Sequence, residues 1–145
     1  IEIIKIDGLS EISHGLWEGK LEKDIQSTWP EILEKWHKEP ENVIMPEGES
    51  IEDVSKRSLN AWNSICKNQK KDDITLIVAH DAVNKTLICN LLGMSNAKIW
   101  TIKQGNGGIT IVDIFHDKDK DSVISALNIT SHLGTLLDST ATGAL

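Results

Sequence analysis

Residues 74 to 79 read Ile-Thr-Leu-Ile-Val-Ala, an apolar run bounded upstream by Lys71-Asp72-Asp73 and downstream by His80-Asp81. Its length and β-branched content fit a strand buried on both faces, the kind found inside a parallel α/β sheet. Residues 82 to 92 then carry apolar side chains at helical spacing and stop at Gly93, a natural residue for the position just past a helix C-terminus. His80 therefore stands where a buried strand gives way to a helix. Ligands of open α/β sheets bind beyond the carboxyl ends of strands. The first turn of the next helix offers free N–H groups and the positive end of a dipole, a natural phosphate site. An imidazole there can donate to a phosphoryl oxygen. On position alone, a histidine that merely caps the strand fits equally well. Asp81 reads first as a helix cap, although its carboxylate would also sit near any bound anion.

The rest of the chain supports an α/β class. Residues 1 to 6 are a short β-rich run, and the Gly-punctuated stretch 9 to 19 reads as a loop. Residues 20 to 28 look helical, Pro30 opens a second helix through His37, and residues 39 to 49, with Pro40, Pro46 and Gly48, read as a surface loop. Ser50 with Asp53 three residues on predicts a variant capping box. The helix it opens places Ile51, Val54, Ala61, Trp62 and Ile65 near one face and ends in the charged stretch Lys67 to Lys71. A short helical stretch around Ala97 to Thr101 and the tight loop Gln104 to Gly108 follow. Residues 109 to 115 and 123 to 129 predict two strands joined by a turn around His116 to Asp121, and the small, polar tail from Ser131 is expected to fray.

Composition narrows the function classes. The length of 145 residues suits one domain, read as 1–133 with a tail at 134–145. The net charge of −7 argues against nucleic acid, which needs a basic footprint. No apolar run is long enough to span a bilayer, and the start Ile-Glu-Ile-Ile-Lys-Ile has no signal-peptide layout and looks cut from something longer. Cys66 and Cys89 form no CxxC pair and no cluster with zinc-ligand spacing, so they read as reduced thiols of a cytoplasmic protein.

The isolated acids Glu11, Glu18, Glu47 and Glu49 say little by themselves, because spacing cannot show that two of them converge. Ser13-His14-Gly15 lacks the preceding arginine and β-run of a histidine-nucleophile motif. His37, His116 and His132 stand in polar contexts. Gln104 to Gly108 has no following Lys-Ser or Lys-Thr and is not a P-loop. The five tryptophans are scattered, and core packing is the simplest use for them.

Three segments taken in order carry a resemblance. Leu9-x-Glu11-x-x-x-Gly15-x-Trp17-Glu18-Gly19, then Pro46-x-Gly48-Glu49-Ser50 with Asp53-Val54 and Arg57, then Leu76 to His80 with Asp81-Ala82-Val83, are similar to three motifs of the phosphoglycerate-mutase-like histidine phosphatases. Leu127-Asn128 with His132-Leu133 resembles the end of cyanobacterial or plastid members. The resemblance implies a three-layer α/β sandwich with a mostly parallel sheet whose N-terminal strands are missing here. It also implies a phosphatase or mutase acting on a small phosphorylated metabolite through a phosphohistidine, with no metal or other cofactor. Glu11 matches the proton-donor glutamate, His80 the second phosphate-pocket histidine, and Asn106 a loop bordering the substrate; Glu49 and Ser50 match a motif that shapes the loop beside the pocket. The Arg-His-Gly nucleophile strand and the second pocket arginine have no match and would lie upstream of Ile1, while Arg57 belongs to a helix outside the pocket. Asp81 replaces a usual glycine, a change that bears on substrate choice. This chain is therefore expected to need the missing N-terminal segment of its own domain, to be inactive alone, and to be marginal or prone to aggregate, since strand 74–79 would expose an edge. The competing reading is a non-catalytic phosphatase-like module that binds a phosphorylated ligand. A Rossmann-like nucleotide binder is disfavoured by the lack of a GxGxxG after a strand.

Overall fold

The structure, a computed structural model, describes residues 2–115 and 122–138. Four α-helices run in chain order: α1 (Glu22–Thr28), α2 (Pro30–Lys38), α3 (Ile51–Asn68) and α4 (Asp81–Leu91). Short 3-10 turns at Asp7–Leu9, Gly15–Trp17, Pro40–Asn42 and Asn96–Thr101 connect them. Strands β1 (Ile109–Asp113) and β2 (Val123–Ile129) pair antiparallel, with Val112 opposite Ile124 and Asp113 opposite Val123.

Local signals set most boundaries. Ser50 Oγ accepts from the Asp53 N–H at 3.1 Å while Asp53 Oδ2 accepts from the Ser50 N–H at 3.0 Å, so the capping box forms with both halves. Pro30 sits in the first turn of α2, where its missing N–H costs nothing. Gly93 follows α4 with φ of 61°, the left-handed conformation that ends helices.

The core lies between the helices. Ile51, Val54 and Ala61 of α3 are buried, as are Val83, Leu87, Ile88 and Cys89 of α4. Small residues let the two helices approach closely. Ser58 Oγ lies 3.3 Å from Thr86 Oγ1, and Asn90 donates to Ser55 Oγ at 2.9 Å, so the buried hydroxyls are satisfied. Trp17 and Trp36 are fully buried, which agrees with packing as their use, whereas Trp100 is partly exposed. Ile124 brings one face of the β1–β2 hairpin onto this core.

Two expectations fail. Residues 74 to 79 lie in no ladder, and Ile74, Leu76 and Val78 are 98%, 84% and 81% exposed. Only the alternate face touches the protein, with Ala79 packed against the core. Residues 2 to 6 likewise form no strand, and Ile3 and Ile4 are exposed. The reason is that a two-face-buried strand needs a second strand and a second layer, and no described segment supplies either. The mostly parallel sheet is therefore not formed: among the described residues the one sheet is the antiparallel hairpin. In the tail, Ser131–Asp138 forms 3-10 turns broken at Gly134. The turn expected around His116 to Asp121, and the end of the tail, lie outside the described residues.

Candidate active site

The first two motifs lock onto each other. Ser13 and Glu49 are joined twice: the Ser13 N–H donates to Glu49 Oε2 and the Glu49 N–H to the Ser13 carbonyl, both at 2.9 Å. The Leu16 N–H donates to the Pro46 carbonyl at 2.9 Å. Gly15, with φ of 54°, lies so close to this loop that a Cβ would overlap the Pro46 carbonyl oxygen. Glu18 accepts from the Ser13 hydroxyl and the His14 N–H, both at 3.1 Å, and folds the loop on itself.

Arg57 ties this assembly to α3. Its Nε and Nη2 donate to the two carboxylate oxygens of Glu49 at 2.8 and 3.0 Å. Its remaining donors reach the carbonyls of Gly8, Ser10 and Glu11 at 3.1, 2.6 and 3.0 Å. Burial pushes the Glu49 carboxyl up, but the Arg57 hydrogen bonds, the Ser13 N–H and the Arg57 charge outweigh it and hold the group below the usual carboxylate range. The sole arginine of the chain is thus a loop clamp with its donors engaged. Sequence reasoning kept it out of the pocket but missed what it holds. A planar five-donor side chain one turn or two along the helix from an acidic loop was the available signal.

The third motif meets the first. Glu11 Oε2 lies 3.9 Å from His80 Nδ1, with the glutamate side chain 36% and the histidine 58% exposed. Glu11 Oε1 accepts from the Ile12 N–H at 2.9 Å, so the carboxylate is held against its own loop with one oxygen towards the imidazole. His80 is the N-cap residue of α4 and makes no side-chain capping bond, which leaves the imidazole free beside the first turn. Asp81 does not cap either. Its Oδ2 accepts from Lys85 Nζ at 2.7 Å, one turn along the helix. An acid, an imidazole and a helix N-terminus at one place can bind an oxyanion and move a proton.

Asn106 is exposed in the turn before β1. That turn is fixed by Asn128, which accepts from the Gly105 N–H at 2.8 Å. His37 is exposed near Glu22 and His132 contacts the Gly107 carbonyl at 3.0 Å. His14 packs edge-on against Trp36 with its Nε2 buried. Both cysteines are free, and burial raises both thiols. Among the described residues, no group of three or more His, Cys, Asp or Glu side chains is placed to hold a metal, and no helix is long and apolar enough to cross a membrane.

Residues 1–129 match the family described as histidine phosphatase superfamily (branch 1). The chain belongs to that superfamily. It is 31% identical to phosphoserine phosphatase 1 of Hydrogenobacter thermophilus over 92% of the chain and 62% of that protein. It is 27% identical to a probable 2-carboxy-D-arabinitol-1-phosphatase of Arabidopsis thaliana over 83% of the chain and 24% of that protein. Among solved structures it resembles a phosphoserine phosphatase mutant from Entamoeba histolytica in complex with phosphoserine. The TM-score is 0.74 at 29% identity, covering 92% of this chain and 65% of the other. The chain thus spans less than two thirds of the length of each of these proteins. Its architecture is phosphoglycerate-mutase-like in the parts it shares with them. Relatives from a bacterium and a plant both match, so they do not mark the tail motif as cyanobacterial or plastid.

Proposed function

We propose that this chain supplies the acid and one phosphate ligand of a phosphatase or mutase acting on a small phosphorylated metabolite. In this reading His80 binds phosphoryl oxygen at the N-terminus of α4, and Glu11 protonates the leaving oxygen and then activates water. The phosphohistidine nucleophile comes from a segment outside residues 1–145. The observation that carries the reading is the 3.9 Å approach of Glu11 to His80, which joins the first motif to the third. Phosphoryl transfer depends on positioning and charge more than on covalent machinery, and the Arg57 clamp gives Glu11 a fixed loop. Phosphoserine is the first substrate to try, because the relatives named above include phosphoserine phosphatases. The two free thiols favour the cytoplasm as the place of reaction. Asn106 is kept as a residue bordering the substrate only on the strength of its loop.

The bare face of residues 74 to 78 supports the missing segment. A strand laid along that edge and a layer over Ile74, Leu76 and Val78 would cover it. A second reading, a non-catalytic module that binds a phosphorylated ligand, draws on the fact that Arg57 is occupied and leaves no described arginine for the phosphate.

Metal-free hydrolysis of p-nitrophenyl phosphate and phosphoserine separates the two. The chain alone should match its His80→Ala control. Joined to its upstream segment it should turn over, and Glu11→Gln or His80→Ala should lower the rate by about 10²–10⁴-fold. Phosphate binding without turnover in the joined protein would establish the binding module. Turnover by the chain alone, abolished by His80→Ala, would place the nucleophile inside it and refute the proposed division.

A further inference from the structure

Asp81 is an acid in the first turn of α4, directly after His80. The first N–H groups of a helix have no intrahelical acceptor, and a short carboxylate nearby competes for them with any external anion. A first-turn aspartate is therefore an obstacle to a phosphate site unless something removes it. In this protein Lys85 does so. Its Nζ bonds Asp81 Oδ2 at 2.7 Å across one helical turn. The lysine is itself held, since its side chain is only 12% exposed and the ammonium lies 5.0 Å from the centroid of the Trp100 ring. Trp100 is fixed in turn by its indole N–H, which donates to the Trp36 carbonyl at 3.0 Å, and by edge-to-face packing on the buried Trp36.

We propose that Lys85 is a positioning residue of the phosphate site: it draws the Asp81 carboxylate back along α4 and neutralises it, leaving the helix N-terminus beside His80 open to a phosphoryl dianion. The inference rests on the reading of His80 as a phosphate ligand. Without Lys85 the carboxylate can turn to its own helix end or repel the dianion directly. Both effects act through Asp81. Removing Lys85 should then matter only while Asp81 is present, whereas a lysine that attracted phosphate by its own charge would matter in either background.

A double-mutant cycle decides between them. On the catalytically complete protein carrying this chain, the readouts are inhibition by inorganic phosphate and KM and kcat for p-nitrophenyl phosphate. Lys85→Met should weaken phosphate about tenfold and raise KM by a similar factor, with a smaller change in kcat. In an Asp81→Ala background the same substitution should change affinity by less than about twofold. Lys85→Arg should retain wild-type affinity, because it keeps the charge and the reach to Asp81. Thermal melts accompany each variant, and Lys85→Gln replaces Lys85→Met if the latter does not fold. Equal losses in both backgrounds, or no loss in either, overturn the proposal while leaving His80 as a phosphate ligand. A wild-type protein without phosphate affinity overturns that reading and this proposal with it.

Discussion

Replacing Ile74, Leu76 and Val78 together, as Ile74→Lys, Leu76→Glu and Val78→Lys, tests the most consequential feature of this fold. In a strand buried on both faces each change would remove a core side chain, at about 2–5 kcal/mol apiece, and would bury a charge as well. The structure predicts otherwise. The three side chains are 81–98% exposed, so less than a fifth of each is covered. Full burial of such a side chain stabilises by about 1.5–3 kcal/mol, so the contact present at each position contributes at most about 0.5 kcal/mol. Allowing a few tenths for lost β-propensity, the triple variant should lose less than about 2 kcal/mol. Urea unfolding of the dilute chain, followed by tryptophan fluorescence, measures this directly, since Trp17 and Trp36 report on the core. Sedimentation at higher concentration supplies the second readout. The wild-type chain should associate through its bare strand and the variant should stay monomeric. The same substitutions should also block rescue by the upstream segment. A loss above about 4 kcal/mol in the dilute chain would mean that these residues are packed in solution, and the argument for an unfilled face would fail.

The loop clamp yields two further expectations. Arg57→Ala leaves Glu49 half-buried without its cation and frees three carbonyls of the 8–11 loop. It should destabilise the chain by about 2–4 kcal/mol, with Arg57→Lys intermediate because it cannot bond Glu49 with two parallel donors; a change under about 0.5 kcal/mol would refute the clamp. The pH dependence has a definite sign. Glu49 is held below its ordinary value of 4.5 in the folded chain, so the stability it confers is complete above that value and is lost as pH falls through the lowered one. Wild-type stability measured from pH 6 downwards should therefore drop in the acid range more steeply than that of Glu49→Gln.

How much was legible in the sequence follows the range of the interactions involved. The capping box at Ser50 and Asp53, the proline that opens α2, the glycine that closes α4 and the two strands of the hairpin were all readable, because each depends on neighbours a few residues away. The Asp81–Lys85 pair has the same i,i+4 spacing and was equally available, but a capping role for Asp81 was preferred. The three motifs, their order and the superfamily they indicate were legible too. Their meeting in space was not: Glu11 lies 3.9 Å from His80, and Asn106 stands in an exposed turn.

The sequence by itself determined the helices, their ends and the apolar character of residues 74 to 79, since hydrophobicity and backbone preference are properties of the residues alone. Only the tertiary structure decided what that character is used for. Burial is a relation between surfaces, and with no second strand or layer beside it among the described residues, the most apolar run in the central part of the chain stands open on one face. The same holds for Arg57 and Lys85. Their charges are fixed by composition, but which carboxylate each one restrains, and which backbone it frees or holds, is set by distances that only folding creates.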